Sequence, residues 1–308
     1  MTKTPGIDVI GDVHGCHREL ASLLKLMGYR QRGGIWQHPR RRVVFVGDLI
    51  DRGPEIGPVL ETVAAMVEAG AATCLLGNHE RDAVFYHTRR RNGKFIRARD
   101  EIREEQLEVT HAQLGKDSEA MRGWIRWMRD LPVVFEVPGL RVVHSAWRAE
   151  AVDFWRNRTL ADESLWEALA DRQSDPSRTL SDLVFGPVIW GRRHGKEVGI
   201  RARWYVAAAR LRGKTFRHAA YRRSVDVPPL PLRPQDRLQL WGYAGTETPL
   251  IFGHQQVSAR STLRPIRKNL ACVDFSAVYG GKLCAYRWAG ETVLSERNFV
   301  SVPFVARD

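Results

Sequence analysis

Three short segments decide the fold of this chain: residues 11–15 (Gly-Asp-Val-His-Gly), 47–53 (Gly-Asp-Leu-Ile-Asp-Arg-Gly) and 77–80 (Gly-Asn-His-Glu). Each follows a short apolar run, at residues 7–10, 43–46 and 71–76. Such runs, bounded by glycines, predict buried β-strands. Open α/β sheets bind ligands in the crevice beyond the carboxyl ends of their strands. We therefore expect the polar side chains of the three segments to lie close together.

The residues between these segments predict helices. Apolar residues at 20, 23, 24 and 27 have helical spacing, and Gly28 follows where a helix would end. Pro54 suits the start of a second helix through Ala69. Strands alternating with helices predict a parallel, buried sheet. Further strands are expected at residues 133–137, 140–143, 250–252, 271–275, 282–288 and 292–294, the last three of them antiparallel.

The residue types at the strand ends are those of a two-metal site. Two divalent ions about 3.5–4 Å apart can hold a shared hydroxide in line with the leaving oxygen of a phosphoester. Asp12 and His14 are spaced to reach one ion, Asp48 can bridge, and Asn78 offers an amide oxygen to the second ion. The second ion then needs histidines from later strand ends. His144 and His254 both follow apolar runs and are the best candidates.

This ordered set of motifs, with a later strand-end histidine and Gly253-His254, resembles the PPP family of metallophosphatases within the calcineurin-like phosphoesterases. The resemblance implies an α/β fold with a central mixed β-sandwich flanked by helices (αββα). We expect a single domain over residues 1–308 with a basic insertion at about 193–240. It also implies two divalent metal ions, with Mn²⁺ preferred and Fe or Zn as alternatives. The implied ligands are Asp12, His14, Asp48, Asn78, His144 and His254.

The resemblance also implies roles for four further residues. His79 is similar to the general acid that protonates the leaving oxygen, with Asp51 orienting its ring. Arg52 resembles a phosphate clamp, and Arg192, preferred over Arg193, resembles the second clamp. In addition, Tyr279 resembles an aromatic residue beside the family site.

One motif departs from the family. The third metal-ligand motif usually has glycine after the histidine, whereas this chain has His144-Ser145-Ala146-Trp147. Loss of glycine removes backbone freedom beside the metal. We therefore expect an altered pocket wall, with Trp147 reshaping the entrance.

Composition restricts the class of protein. The chain has 308 residues, 44% hydrophobic, with no signal-peptide pattern and no run of transmembrane length. Its four scattered cysteines favour a reducing cytoplasm, without a disulfide framework or structural zinc. The net charge is +13, and residues 191–240 alone contain 13 Lys and Arg against 3 Asp and Glu. A basic surface attracts anionic partners, so nucleic acid is a possible partner of this insertion, and a membrane is not expected.

The leading functional hypothesis is a metal-dependent phosphomonoesterase that acts on phosphoserine and phosphothreonine proteins or on small phosphoesters. A first alternative is hydrolysis of diadenosine tetraphosphate. Symmetrically cleaving enzymes of that class usually have Ala where this chain has Asp51, and favour Asp over Glu80, so both differences favour the phosphatase. A second alternative is processing of RNA ends, as a phosphatase or 2′,3′-cyclic phosphodiesterase, because aromatic residues in the basic insertion could stack on bases. These aromatic residues are Trp204, Tyr205, Phe216 and Tyr221.

Overall fold

The computed structural model consists of β-strands with helices beside them. The structure describes residues 5–193, 196–211, 219–220, 234–258 and 260–306. Within them the helices are α1 (His17–Leu26), α2 (Ile56–Glu68), α3 (Asn78–His87), α4 (Glu101–Leu114), α5 (Glu119–Arg129), α6 (Ala149–Trp155), α7 (Trp166–Ala170), α8 (Asp175–Val184) and α9 (Pro234–Leu238).

The strands alternate with these helices in the first third of the chain and return near its end. They are β1 (Gly6–Ile10), β2 (Arg30–Arg32), β3 (Ile35–Gln37), β4 (Arg41–Phe45), β5 (Ala72–Cys74), β6 (Val134–Val137), β7 (Leu140–Val143), β8 (Val188–Arg193), β9 (Lys196–Arg201), β10 (Leu250–Phe252), β11 (Leu270–Cys272), β12 (Asp274–Phe275), β13 (Lys282–Trp288) and β14 (Phe299–Pro303).

Two sheets carry the fold. The first has the order β12-β13-β1-β4-β5, with β14 also paired to β13. Its strands β1, β4 and β5 are parallel, whereas β13 is antiparallel to β1. The second sheet has the order β11-β10-β7-β6, with β7, β10 and β11 parallel and β6 antiparallel. Five parallel strands from the two sheets therefore precede the expected site residues.

The sheets pack face to face, and the alternation along β4 shows how. Val44 and Val46 belong to a buried cluster that includes Val142 and Ile251 of the second sheet. Val43 and Phe45 instead join the large cluster formed with the helices. Successive side chains of a strand point to opposite faces, so one strand serves both layers. The predicted α/β sandwich flanked by helices is therefore observed.

The predicted helices next to the first two strands also form. On α1, Leu20, Leu23 and Leu24 are fully buried, and Gly28 just beyond the helix has φ +92°. Only glycine adopts this backbone region without strain. The helix α2 begins two residues after Pro54 and ends one residue before Ala69, close to the predicted bounds.

Several predicted bounds were wrong. The run 271–275 is not one strand, because β11 pairs with β10 in the second sheet and β12 pairs with β13 in the first. Residues 292–294 form no strand, and the antiparallel partner of β13 is β14 instead. The hairpins β2–β3 and β8–β9 were not predicted. A single domain over 1–308 stays a prediction. In the described part of the chain, no helix combines the length and apolar character needed to cross a membrane.

Candidate metal centre

The predicted site residues lie just beyond the carboxyl ends of five strands. Asp12 and His14 follow β1, and Asp48 follows β4. Asn78 and His79 follow β5 and open α3, so the turn from strand to helix presents them. His144 is the residue after β7, and His254 is the second residue after β10. All seven side chains are buried and lie at one edge of the sandwich.

Two groups of possible ligands share one carboxylate. His14, Asp48 and His79 form the first group, and Asp48, His144 and His254 form the second. Within each group the candidate ligand atoms all lie within 4.8 Å of one another. Asp48 therefore belongs to both groups, and its role as the bridge between two ions stays a prediction.

Backbone carbonyls fix two of the imidazoles. Nδ1 of His14 donates to the Ile50 carbonyl at 2.8 Å, and Nδ1 of His144 donates to the Val46 carbonyl at 2.8 Å. This leaves the Nε2 lone pair of each ring facing inward, 3.5 Å from an Asp48 oxygen in both cases. Such outer hydrogen bonds are how proteins set the tautomer and direction of metal-binding histidines.

The remaining predicted ligands complete the surroundings of Asp48. The Asn78 amide lies 3.2 Å from Nε2 of His144, which in turn lies 3.2 Å from Nδ1 of His254. Asp12 is outside both close groups, and its two carboxylate oxygens accept from the His254 backbone N–H at 3.1 and 3.2 Å. Asp12 therefore connects the loop after β1 to the loop after β10 by hydrogen bonds.

The donor set fits divalent metal ions of the manganese, iron or zinc type. Burial is the main cause that lowers the pKa values of His14, His144 and His254, so these rings are neutral, as metal ligands must be. Nε2 of His254 is buried and has no hydrogen-bond partner among the described residues. Neutral imidazoles with carboxylate and amide oxygens form a mixed set that these ions accept.

The backbone at the site is unusual. His14, Asp48, Asp51, Arg52 and His254 all have left-handed φ values, between +42° and +68°. Residues other than glycine rarely adopt this region, and such outliers cluster at functional sites. The strand-end loops therefore hold these side chains in directions that regular structure would not give them.

Glu80 holds the Asp48 loop, a role that the sequence did not reveal. Its carboxylate accepts from the backbone N–H groups of Asp48 at 2.8 Å, Leu49 at 2.7 Å and Ile50 at 3.3 Å, and from Gly77 at 3.1 Å. Burial, with Asp48 nearby, raises the pKa of Glu80 to about 7. The sequence analysis considered Glu80 only as a difference between enzyme classes, whereas in the structure its carboxylate holds the backbone of the Asp48 loop in place.

His79 and Asp51 form the predicted pair. Nδ1 of His79 donates to Asp51 at 2.5 Å, which leaves Nε2 facing Asp48 at 3.9 Å. Burial lowers the pKa of His79, but Asp48 and the hydrogen bond to Asp51 outweigh it, so the pKa is raised. The hydroxyl of Thr110 on α4 donates to the other Asp51 oxygen and accepts the Asp51 N–H. Thr110 was missed because it lies far along the chain.

Two arginines reach the site. Nη1 of Arg52 donates to Nε2 of His14 at 2.8 Å, and its guanidinium lies 5.3 Å from the ring centre of the exposed Tyr279. Arg201, at the end of β9, donates to the His254 carbonyl at 2.7 Å. Burial is the main cause that lowers the pKa of Arg201, while Asp48, Asp274 and Asp12 raise it. Arg201 was not predicted.

The predicted second clamp, Arg192, lies on β8, but its side chain is outside the described residues, and so is that of Arg193. The hairpin partner of Arg192 is Glu197. Its role as a clamp therefore stays a prediction, and Arg201 is the arginine of this hairpin that the structure brings to the site.

Trp147 is buried, and the expected effect of Trp147 and the residues after it on the entrance stays a prediction. Trp147 is 5% exposed, and its carbonyl accepts from the Trp241 indole N–H at 2.9 Å. Ser145 and Ala146 are buried and do not have positive φ, so this motif needs no glycine here. Their N–H groups both donate to the Leu183 carbonyl.

The basic insertion gives no support to base stacking. Trp204 is fully buried and Tyr205 is 4% exposed, so both pack in the core and neither can stack on a base. Phe216 and Tyr221 lie outside the described residues. The aromatic part of the RNA hypothesis was therefore wrong for the two residues that the structure describes.

Comparison with known proteins agrees with this geometry. The family model "Calcineurin-like phosphoesterase" matches residues 6–194, which is more than half of the chain. The chain belongs to this family. It has the calcineurin-like metallophosphoesterase fold, and the family implies a dinuclear metal centre.

Individual relatives give a narrower similarity. The chain is 47% identical over 74 residues to a bis(5′-nucleosyl)-tetraphosphatase PrpE, asymmetrical type, from Oceanobacillus iheyensis. That match covers 24% of this chain and spans only 30% of the length of the relative. Two solved structures share the fold with a TM-score of 0.50. One is described as a candidate diadenosine tetraphosphatase (19% identical, 98% of this chain and 95% of that chain) and the other as a protein serine/threonine phosphatase from Saccharomyces cerevisiae (14%, 100% and 82%).

Proposed function

We propose that this chain hydrolyses dinucleoside polyphosphates, with diadenosine tetraphosphate as the reference substrate and asymmetric cleavage as the outcome. The observation that carries this proposal is the paired ligand set around Asp48 with a guanidinium at one histidine of each group, Arg52 at His14 and Arg201 at His254. A polyphosphate chain presents several anionic oxygens at once, which suits two separate arginine clamps. The tetraphosphatases among the relatives support the same substrate class.

The metal centre would be held by six residues. Asp12 and His14 would bind the first ion, Asp48 would bridge, and Asn78, His144 and His254 would bind the second. When bound, the ion pair supplies an activated water and neutralises charge on the phosphoryl group. We propose manganese as the metal, with iron or zinc as alternatives that the same ligands accept.

The residues of the chain itself perform the other tasks. We propose that Arg52 and Arg201 bind the phosphoryl oxygens and orient the chain of phosphates. His79 carries a proton on Nε2, held in the charged form by Asp48 and by the Asp51 carboxylate on Nδ1. It would deliver that proton to the leaving oxygen.

Asp51 does not count against this proposal. The sequence difference at that position separates the chain from symmetrically cleaving enzymes, whereas the relatives named above are of the asymmetrical type. The same applies to Glu80, whose carboxylate is fully used in holding backbone N–H groups.

A second candidate is the hydrolysis of phosphoserine and phosphothreonine. The observation that favours it is the 2.5 Å hydrogen bond between His79 and Asp51. An alkoxide is a poorer leaving group than a phosphate and depends more on a proton donor. The protein serine/threonine phosphatase among the solved structures shares only the fold and adds nothing to the choice.

The test is a direct comparison of substrates. We would measure Mn²⁺-supported turnover of diadenosine tetraphosphate and of a phosphothreonine peptide, with Asp48→Asn protein as the blank. The proposal predicts faster cleavage of the dinucleotide and products in the pair ATP and AMP. Two ADP molecules would contradict asymmetric cleavage, and faster turnover of the peptide would favour the second candidate.

A further inference from the structure

A strongly basic cavity is lined by residues outside the candidate metal centre. Its volume is about 420 Å³, and none of its lining residues belongs to the centre described above. We call it the basic pocket and define it by its lining residues: His87, Arg89, Phe95, Arg99, Lys116, Asp117, Arg122, Ile125, Arg126 and Arg129. It is formed by the end of α3, the segment that follows it, the turn after α4, and α5.

One face of α5 builds a wall of this pocket. Arg122, Ile125, Arg126 and Arg129 are spaced at i, i+3, i+4 and i+7, so they lie along one side of the helix. Across from them, the Phe95 ring holds two guanidiniums, with Arg89 at 4.1 Å and Arg99 at 4.0 Å from its centre. Cations over an aromatic face are attracted to it, which keeps both arginines in place.

The pocket carries an excess of positive charge. Six cations line it, and the carboxylates that pair with them are Asp117, Glu119 and Glu104. Three positive charges are therefore left over. His87 adds none at neutral pH, since burial, with His111 and Arg99 nearby, lowers its pKa to about 4.

Two arginines of the basic pocket have no carboxylate partner. Arg89 and Arg129 form no ion pair with any carboxylate among the described residues. Nε of Arg129 is a buried donor without a hydrogen-bond partner in the described part of the chain, although Nη2 donates to Thr88 at 2.9 Å. Within the described residues, no ion pair therefore neutralises the positive charges of Arg89 and Arg129.

We propose that the basic pocket is a binding site for a small polyphosphate anion. Guanidiniums match the oxygens of phosphate groups with paired hydrogen bonds, and an excess of three charges suits a triphosphate. The volume is within the range of small-molecule sites. Apart from Phe95 and Ile125, every lining side chain is charged or ionisable, so the phosphates themselves would carry the recognition. This proposal does not rest on the proposed hydrolytic activity.

The test is calorimetric titration of the full chain with inorganic tripolyphosphate in metal-free buffer. We expect saturable binding that weakens at least about tenfold in Arg89→Gln/Arg129→Gln, because charge-assisted hydrogen bonds are lost. The charge-matched control Arg30→Gln/Arg32→Gln changes two exposed arginines of the β2–β3 hairpin and should bind like the wild type. Because Arg129 also packs on Trp166, the single variant Arg89→Gln keeps the test valid if the double variant fails to fold.

Two further measurements test where tripolyphosphate binds and whether the site prefers phosphate over carboxylate anions. Arg52→Gln, which removes a proposed phosphate clamp of the metal centre, should bind tripolyphosphate like the wild type, since no lining residue of the basic pocket belongs to that centre. Citrate, a tricarboxylate with fewer anionic oxygens than tripolyphosphate, should bind more weakly because it can accept fewer charge-assisted hydrogen bonds. Unchanged affinity in Arg89→Gln and the double variant, loss of binding in Arg52→Gln, or equal affinity for citrate would each overturn the proposal.

A last experiment distinguishes a nucleotide from an inorganic polyphosphate as the ligand. A nucleoside triphosphate with a methylene group in place of its β–γ bridging oxygen is compared with tripolyphosphate. Tighter binding of the analogue would support the proposal with a nucleotide as the ligand. Equal binding of both probes would support it with an inorganic polyphosphate as the ligand.

Discussion

At the scale of single residues, close approaches of backbone position the candidate metal ligands. A Cβ atom on Gly253 would lie 2.3 Å from the Asp12 carboxylate and 2.6 Å from the Val46 side chain. A Cβ atom on Gly77 would meet Asp48 at 2.3 Å. Contacts shorter than 3 Å force neighbours to move. Glycine at these two positions therefore permits the ligands to approach each other.

The first prediction follows from Gly253. In Gly253→Ala, the added methyl group should displace Asp12 and with it the His254 loop, which weakens Mn²⁺ binding by about 10–100-fold, as loss of outer contacts does at metal sites. Mn²⁺ affinity by calorimetry is the measurement. The control is Gly245→Ala, where a Cβ would meet nothing within 4 Å. Equal affinity in both variants would contradict the placement of Asp12.

A second prediction concerns Glu80. In Glu80→Gln, an amide NH₂ replaces one carboxylate oxygen and faces backbone N–H groups, so at least one buried donor loses its acceptor. We expect the free energy of unfolding to fall by about 1–3 kcal/mol. Urea denaturation measures it, and Glu101→Gln, an exposed position on α4, is the control. A variant as stable as the control would show that Glu80 is not a clamp.

Local motifs predicted most of the site residues but not the residues that hold them in place by hydrogen bonds. Asp12, His14, Asp48, Asn78 and His79 lie within or next to short strand ends, so their convergence follows from strand order alone. The clamp of Glu80 depends on the path of the loop after β4, and Arg201 depends on a hairpin that apolar patterning does not reveal. Such contacts are set by tertiary structure, which a local pattern does not contain.

At the scale of elements, α4 connects to the proposed acid through one residue. Thr110 is fully buried and bonds the Asp51 carboxylate and N–H, while Asp51 holds the ring of His79. A helix more than fifty residues from Asp51 along the chain therefore orients the imidazole. Thr110 acts as a positioning residue rather than as a catalytic one.

The third prediction tests this connection. Thr110→Val keeps the shape of the side chain but removes the hydroxyl, so the His79–Asp51 pair should lose its orientation. We expect kcat to fall about tenfold for substrates with poor leaving groups and much less for good ones, with Mn²⁺ affinity unchanged. Thr110→Ser retains the hydroxyl and should restore the rate. An equal loss for good and poor leaving groups would exclude a role through His79.

Predicted elements failed where one run of residues serves two sheets. The apolar residues 271–275 have the composition of one strand, yet Leu270–Cys272 pairs with the second sheet and Asp274–Phe275 with the first. The composition of a run indicates whether it is buried but not which sheet it joins, and both halves of this run are buried. The hairpin of Arg30–Arg32 and Ile35–Gln37 was missed for the opposite reason, because its strands are exposed or half-buried and lack apolar alternation.

At the scale of the whole molecule, metal binding should couple to stability. Five parallel strands from two sheets supply the candidate ligands, so ions would hold the two sheets together at one edge. Ligands that bind only the folded state stabilise it by mass action, by about 2.7 kcal/mol at a concentration of 100 times Kd.

The fourth prediction is therefore thermal. Adding Mn²⁺ to metal-stripped protein should raise the unfolding temperature, and a chelator should reverse the increase. In His144→Ala the increase should be much smaller, because that ring links the second sheet to Asp48. Differential scanning calorimetry measures both proteins. An increase as large in His144→Ala as in the wild type would mean that Mn²⁺ stabilises the chain elsewhere.

The most direct single measurement is a Mn²⁺ titration of the metal-stripped full chain followed by electron paramagnetic resonance. A carboxylate shared by two ions about 3.5–4 Å apart predicts two equivalents of Mn²⁺ with a spin-coupled signal. In Asp48→Asn that coupled signal should disappear. One equivalent, or two equivalents whose signals remain uncoupled in the wild type, would contradict a dinuclear centre bridged by Asp48.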